Sequence, residues 1–530
     1  MLAVYLLFSV ACFLTVHEHY IEGDNLEVLK LLQRGYHGKI KMVYIDPPYN
    51  TGHDFVYKDR FGDTLENYIE QAGLMGQSNA DTSGSYHANW CSMMYPRLRL
   101  ARELLADDGA IFVSIDDNEV TNLTKLMDEI FGERNRIALI CHKARASVSN
   151  DKIISPNHNT IAFYAKNIES LEAIRKTIGL DPNLEGFDLD DADGRGAYRL
   201  VPVDGPGGAK KGNPFFEFLG VEGYWRFSKE TMQKKYEEGL VVKRGNSLYQ
   251  KYYQSAAKQT RRTVTTWWDD AGLTSTATSR LKELMGGATF DTPKPIELLE
   301  RMLKMITFSS DDCIVMDFFS GSATLAHAVM NINREYGGQR KFILVQLPEI
   351  LDSKAAAREL GYDNLCQIGE ERIKRAGDLI VSEINESNKQ LALGELPITI
   401  PDVGFRVLKL DSSGILCPEP GRLLLERVKP DRTDQDIIFE MMLKWGLELT
   451  YPIEKMEING YECYSIAGDA LICCMKPGLT VQTLNEIAEL EPDRVLMLDS
   501  ILDDTLKLNA LQIFKRVEER TQKKIDLRTV

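Results

Sequence analysis

This 530-residue chain has no CxxC pair, no surplus of positive charge and no apolar run long enough to cross a membrane. Its nine cysteines are odd in number and scattered from Cys12 to Cys474. That argues against a disulfide framework and against a zinc site, so no metal is expected and a reducing cytoplasm fits. Lys and Arg number 63 against 78 Asp and Glu, a net charge of −15. Any contact with a nucleic acid must therefore be concentrated in a local basic region. The most apolar stretch, residues 1–16 (MLAVYLLFSVACFLTV), is short for a membrane span, and no Lys or Arg precedes Lys30 to form the basic start of a signal peptide. It reads as a truncated or misplaced start, or else as a buried strand or helix, and no membrane association is expected. The remainder, in a chain 44% apolar and 27% charged, has the composition of a soluble globular protein with room for about three domains.

What the chain does have is KMVYIDPPYNTG at 41–52. Met42, Val43, Tyr44 and Ile45 read as a buried strand. Asp46, Pro47, Pro48, Tyr49 and Asn50 end it, because two prolines fix φ and remove two backbone donors. In an open α/β sheet, ligands bind beyond the carboxyl ends of strands, where this turn would sit. The Asp46 carboxylate and the Pro47 carbonyl can each accept from a planar exocyclic amine while the Tyr49 ring stacks on its base. The competing reading is a Pro-rich turn with Asp46 as turn former and Tyr49 as cover.

A second strand, turn and helix follows about 270 residues later, CIVMDFFSGSAT at 313–324. Asp317, Phe319, Gly321 and Ser322 form a small-residue turn that lets backbone approach a ligand at a helix N-terminus. Glu349, past the strand at 341–347, is placed to accept from two ribose hydroxyls as in dinucleotide folds. Asp24 either accepts from a ligand or caps the helix that starts at Asn25 or Leu26. The segment at 110–115 reads as a further strand, and the Ser114–Glu119 text as strand end and helix start. Residues 59–87 read as a long polar loop, functional or mobile, and on the functional reading a lid over DNA. Between 224 and 268 lie ten Lys/Arg against three Glu, interleaved with aromatics such as Tyr224, Trp225, Tyr249, Tyr252 and Trp267. Lys243, Arg244, Lys258, Arg261 and Arg262 are the candidate phosphate contacts, and the aromatics are candidate stacking platforms for unstacked bases.

With Asn50-Thr51-Gly52, the Asp46-Pro47-Pro48-Tyr49 text resembles the DPPY motif of S-adenosylmethionine-dependent DNA amino-methyltransferases, and in particular the modification (Mod) subunit of type III restriction–modification systems. The resemblance runs from about Tyr20 to the C-terminus. It implies a Rossmann-like α/β methyltransferase fold with permuted motif order, divided as a catalytic half at 17–142, a target-recognition insert at 143–290, a cofactor-binding half at 291–395 and a C-terminal α/β domain at 396–530. It also implies methyl transfer from S-adenosylmethionine to N6 of adenine in duplex DNA by base flipping, with Asp46, Pro47, Pro48 and Tyr49 catalytic. Cytosine-N4 transfer and a catalytically weak recognition subunit are the alternatives. By the same likeness, Lys294 in Pro293-Lys294-Pro295 helps hold the methionine part of the cofactor. A Mod homodimer and a restriction (Res) helicase–nuclease subunit are the implied partners. The broad motif Phe-x-Gly-x-Gly has Ala323 at its second glycine, which costs affinity if that position faces the cofactor or needs φ > 0.

Overall fold

The computed structural model describes residues 2–7, 17–51, 84–148, 153–308, 312–391, 396–415 and 428–530. Its contacts divide into a large unit, Met1–Ala173 with Thr266–Val530, and a small one, Ile174–Thr265.

The large unit is built on a ten-stranded sheet. In chain order its strands are β1 (Leu2–Leu7), β2 (His19–Glu22), β3 (Ile40–Ile45), β4 (Leu105–Ile115), β5 (Arg136–Lys143), β6 (His158–Ala165), then β12 (Trp267–Trp268), β13 (Ile314–Asp317), β14 (Lys341–Gln346) and β15 (Arg406–Ser412). Across the sheet they run β1-β15-β2-β14-β13-β3-β4-β6-β5-β12. The six from β15 to β4 are parallel. Strands β2, β3 and β13 are buried at every position, as apolar runs flanked on both faces must be. Helices α1 (Asn25–Tyr36), α2 (Gly84–Leu104), α3 (Val120–Phe131), α4 (Ile296–Ile306), α5 (Thr324–Tyr336) and α6 (Leu365–Lys389) belong to this unit. α4 shows why such sequences become helices: Leu298, Leu299, Met302, Leu303 and Ile306 fall on one stripe, and all are buried.

Several boundaries differ from those read in the sequence. The insert is narrower than 143–290, because β6 pairs with β4 through Ala110↔Ala165 to Ile115↔Thr160 and β12 pairs with β5. Both flanks of the insert thus belong to the main sheet. Leu2–Leu7 is a strand, paired antiparallel with β15 from Leu2↔Ser412 to Leu7↔Val407. Before the C-terminal segment, α6 runs as far as Lys389. The C-terminal segment is not separate either. Helix α7 (Asp434–Trp445) places Ile437, Ile438, Phe439 and Met442 in the same core as Val28, Leu32 and Tyr36. A five-stranded sheet, β16 (Ile453–Ile458), β17 (Tyr461–Ile466), β18 (Leu471–Cys474), β19 (Arg494–Met497) and β20 (Asp526–Thr529), presents Tyr464, Ile466 and Leu496 to that core. Its other face, with Cys463, Ile472 and Val495, packs on helices Val481–Glu489 and Asp504–Thr521. The expected lid falls outside the described residues except for 84–87, which begin α2. Among the described residues no helix is long and apolar enough to cross a membrane.

The small unit has a three-stranded antiparallel sheet, β10 (Val241–Arg244), β11 (Ser247–Tyr253) and β7 (Tyr198–Pro202), and a hairpin of β8 (Phe215–Phe218) and β9 (Val221–Tyr224). Val203, Phe218, Trp225, Met232, Val241 and Leu248 form its core.

Candidate active site

Two turns meet because β3 and β13 are neighbours. Met316 pairs with Val43 in parallel register, three residues before Asp46 and one before Asp317. The carboxyl ends of the two strands therefore open side by side, at the crevice where parallel sheets bind ligands. Residues distant in sequence become a single site by this pairing alone.

Asp46 has both oxygens engaged. The Tyr49 hydroxyl donates to Oδ1 at 2.8 Å, and Lys294 Nζ donates to Oδ2. Lys294 also donates to the Tyr49 hydroxyl oxygen at 2.9 Å, and its ammonium lies 5.1 Å from the centre of the Tyr49 ring. Burial, then the Asp46 charge, pushes the Tyr49 phenol well above its usual range, so it stays neutral. Lys294, which the family likeness assigns to the methionine part of the cofactor, thus sits against the Asp46–Tyr49 turn itself. The Pro48 carbonyl is taken by Trp90 Nε1 at 2.8 Å. Among the described residues no hydrogen bond to the Pro47 carbonyl occurs, and with Asp46, Tyr49 and Lys294 Pro47 lines a cavity of about 570 Å³, within the usual size of ligand pockets. Asp116, Arg145 and Asn159 are among the other residues of its wall.

The second turn is shaped for close approach. Gly321 has φ +51, and a Cβ there would meet nothing nearer than Phe290 Cζ at 3.5 Å. Its N–H donates to Gln346 Oε1 at 2.7 Å, and Phe319 N–H donates to Asp317 Oδ1 at 2.9 Å. Burial pushes the Asp317 carboxyl well above the usual carboxylate range. The buried guanidinium of Arg372 donates to Ser322 Oγ at 2.8 Å and to Thr324 Oγ1 at 2.7 Å, fixing the turn to α6. Ala323 adopts φ 58, ψ 41 at the N-cap of α5, so this position does need a left-handed backbone. Glu349 lies exposed just past β14. Asp24 caps α1, accepting from Leu26 N–H at 3.0 Å and Glu27 N–H at 3.2 Å, while its other oxygen lies 3.5 Å from Arg97. A glycine cradle, a helix N-terminus and an exposed carboxylate past the next strand suit a nucleoside with a charged tail.

In the small unit the phosphate candidates separate. Lys243, Arg244, Lys258 and Arg262 are exposed. Arg261 is not: its side chain is 4% exposed, donating to Asp181 at 2.6 Å and to the Gly179 carbonyl at 2.7 Å. The aromatics separate too: Tyr224 and Tyr236 are exposed, and others are spent internally. Trp225 is buried with its N–H on the Phe216 carbonyl, and Tyr252 and Tyr253 lie beneath Arg199 and Arg195. Trp268 is buried in the large unit, where Trp267 is 62% exposed.

Arg372, Gln346 and Trp90 went unread as site residues in the sequence, where they look like helix or strand filler, and Glu119 was read only as the end of a strand and the start of a helix. Only the Glu119 text carried a signal, as a carboxylate-rich strand end.

Residues 40–364 match the family model described as DNA methylase. The chain is 35% identical over 410 residues to the type III restriction-modification enzyme StyLTI Mod subunit of Salmonella typhimurium, covering 74% of this chain and 60% of that protein. It is 31% identical over 523 residues to the EcoPI Mod subunit of Escherichia phage P1, covering 88% and 77%. The chain thus spans less than two thirds of the first relative's length and more of the second's. Among solved structures, PvuII DNA methyltransferase (cytosine-N4-specific) matches at TM-score 0.34 and 13% identity, covering 70% of this chain and 96% of that one.

Proposed function

We propose, on the premise that the chain belongs to the DNA methylases and within them to the Mod subunits of type III restriction–modification systems, that it transfers a methyl group to N6 of adenine in duplex DNA. The geometry around Asp46 carries this reading. Asp46 and Pro47 line one cavity with a neutral Tyr49, so the carboxylate and the Pro47 carbonyl are the two acceptors on offer there. The amine of an extruded base seated there donates its two N–H groups to those acceptors, which draws the nitrogen lone pair out of conjugation with the ring and towards an electrophile. Reaching the cavity requires the base to leave the stack. Tyr49 covers its face, and Lys294 holds both groups in place by donating to Asp46 Oδ2 and to the Tyr49 hydroxyl oxygen.

The Gly321 turn, the start of α5 and Glu349 would hold S-adenosylmethionine, which supplies a methyl group on a sulfonium when bound. With an activated methyl supplied, the chain's own contribution is positioning. Gly321 admits the close approach, Arg372 and Gln346 hold the turn, and β13 beside β3 sets its distance from Asp46. Exposed Lys243, Arg244, Lys258 and Arg262 supply phosphate contacts in the recognition unit. A second Mod copy and a Res subunit are the proposed protein partners.

The test is transfer of labelled methyl into duplex DNA, followed by digestion to nucleosides. N6-methyladenine is expected, and N4-methylcytosine would overturn the assignment of the base. Asp46→Ala should lower transfer by at least about 10²-fold while DNA binding survives. Transfer within a few-fold of the unaltered protein would mean that Asp46 does not hold the target amine.

A further inference from the structure

Behind the Asp46–Tyr49 turn lies a carboxylate that the reaction above does not use. Glu119 is fully buried and stands at the N-cap of α3, yet it makes no capping bond to its own helix. Its Oε1 accepts from Asn50 Nδ2 and from His87 Nδ1, the latter at 2.6 Å, and its Oε2 accepts from Asn122 Nδ2 at 2.8 Å. Asn50 immediately follows Tyr49 and holds φ 57, a left-handed backbone that asparagine tolerates better than most residues but does not prefer. Its other side-chain atom, Oδ1, is buried with no hydrogen-bond partner among the described residues. The Glu119 contact is thus the one side-chain hydrogen bond these residues show tying Asn50 in place. α2, which carries His87, also carries Trp90, whose indole N–H takes the Pro48 carbonyl.

A buried carboxylate costs several kcal/mol in desolvation unless donors satisfy it. Here the donors come from three elements, the catalytic turn, α2 and α3. If Glu119 served only its own helix, its carboxylate would accept from the backbone at the start of α3.

We propose that Glu119 is a positioning residue for methyl transfer: by holding Asn50 from behind, it fixes the backbone on which Asp46, Pro47 and Tyr49 are presented. This rests on the function proposed above. It assigns no contact with base or cofactor, so its loss should change turnover and not binding.

The experiment compares the full chain with Glu119→Gln, Asn50→Ala and the double variant. Glu119→Gln keeps the shape but leaves one donor facing an NH₂ group. Each single variant should lower kcat by about 10- to 100-fold, as small misplacements of reacting groups do. KM for S-adenosylmethionine, DNA affinity and melting temperature should stay near those of the unaltered protein. The double variant should lose no more than the worse single one, since both cut the same link. Should Glu119→Gln prove too unstable to assay, Asn50→Ala and Asn50→Ser carry the same expectation and leave the carboxylate its donors His87 and Asn122. Additive losses, or kcat within two-fold in any of these variants, would overturn the proposal. Inactivity of the unaltered chain would instead overturn the function on which it rests.

Discussion

Asp46 and Ala323 show how much a single position can tell. The DPPY text predicts an acceptor and a ring at a strand end, and the structure has Asp46 and Tyr49 there, hydrogen-bonded at 2.8 Å. It says nothing of Lys294, 248 residues on, which closes the triangle. No local pattern could, since only the pairing of β3 with β13 brings the two turns together. Ala323 stands out by its departure from a glycine pattern, and its φ of 58 gives that departure a physical cost. A left-handed backbone costs an L-residue roughly 1–2 kcal/mol that glycine escapes. Ala323→Gly should therefore raise unfolding free energy by about 1 kcal/mol, less whatever glycine gains in unfolded freedom. Urea denaturation checks it, and an unchanged or lowered midpoint would mean that the surrounding turn has absorbed the strain.

Among the elements, strands β3, β4, β13 and β14 and helices α1 and α5 were legible, because apolar runs and the turns that bound them name them directly. What sequence could not give was neighbourhood. β6 looks like part of an insert until it pairs with β4, and α7 looks like the start of a separate domain until Phe439 enters the main core. Nor could it show which buried groups face one another. Glu370 on α6 lies against Glu22 at the end of β2, and burial together with that neighbour pushes Glu370 up to about 8. The sign follows from linkage: the folded chain keeps a proton that an unfolded glutamate releases near pH 4.5. This contribution is whole in acid and is lost as pH rises through about 8. Glu370→Gln, which mimics the protonated side chain, should flatten that loss, read as the difference in urea midpoint between about pH 5 and about pH 9. Equal midpoint shifts in both proteins would show that Glu370 does not carry it.

For the whole molecule, charge and chain order matter most. A net −15 protein that binds DNA as proposed has to do so through a local excess of cations, and Lys243, Arg244, Lys258 and Arg262 are among the exposed ones in the small unit. Replacing Arg244, Lys258 and Arg262 with Ala should flatten the dependence of log affinity on log salt by up to about 0.9 for each phosphate no longer neutralised. Arg261→Ala should leave that slope nearly unchanged and instead lower the melting temperature, since Arg261 is bound to Asp181 and Gly179 inside the unit. Unaltered salt dependence in the triple variant would move the DNA face elsewhere. The pairing of β3 with β13 also sets a clock. As the chain leaves the ribosome, β3 appears about 270 residues before the neighbour it needs, a wait of roughly 15 to 50 seconds at ordinary synthesis rates. The central sheet therefore cannot close until most of the chain has been made, and through that interval the apolar edge of β3 has to be shielded by something other than its final partner.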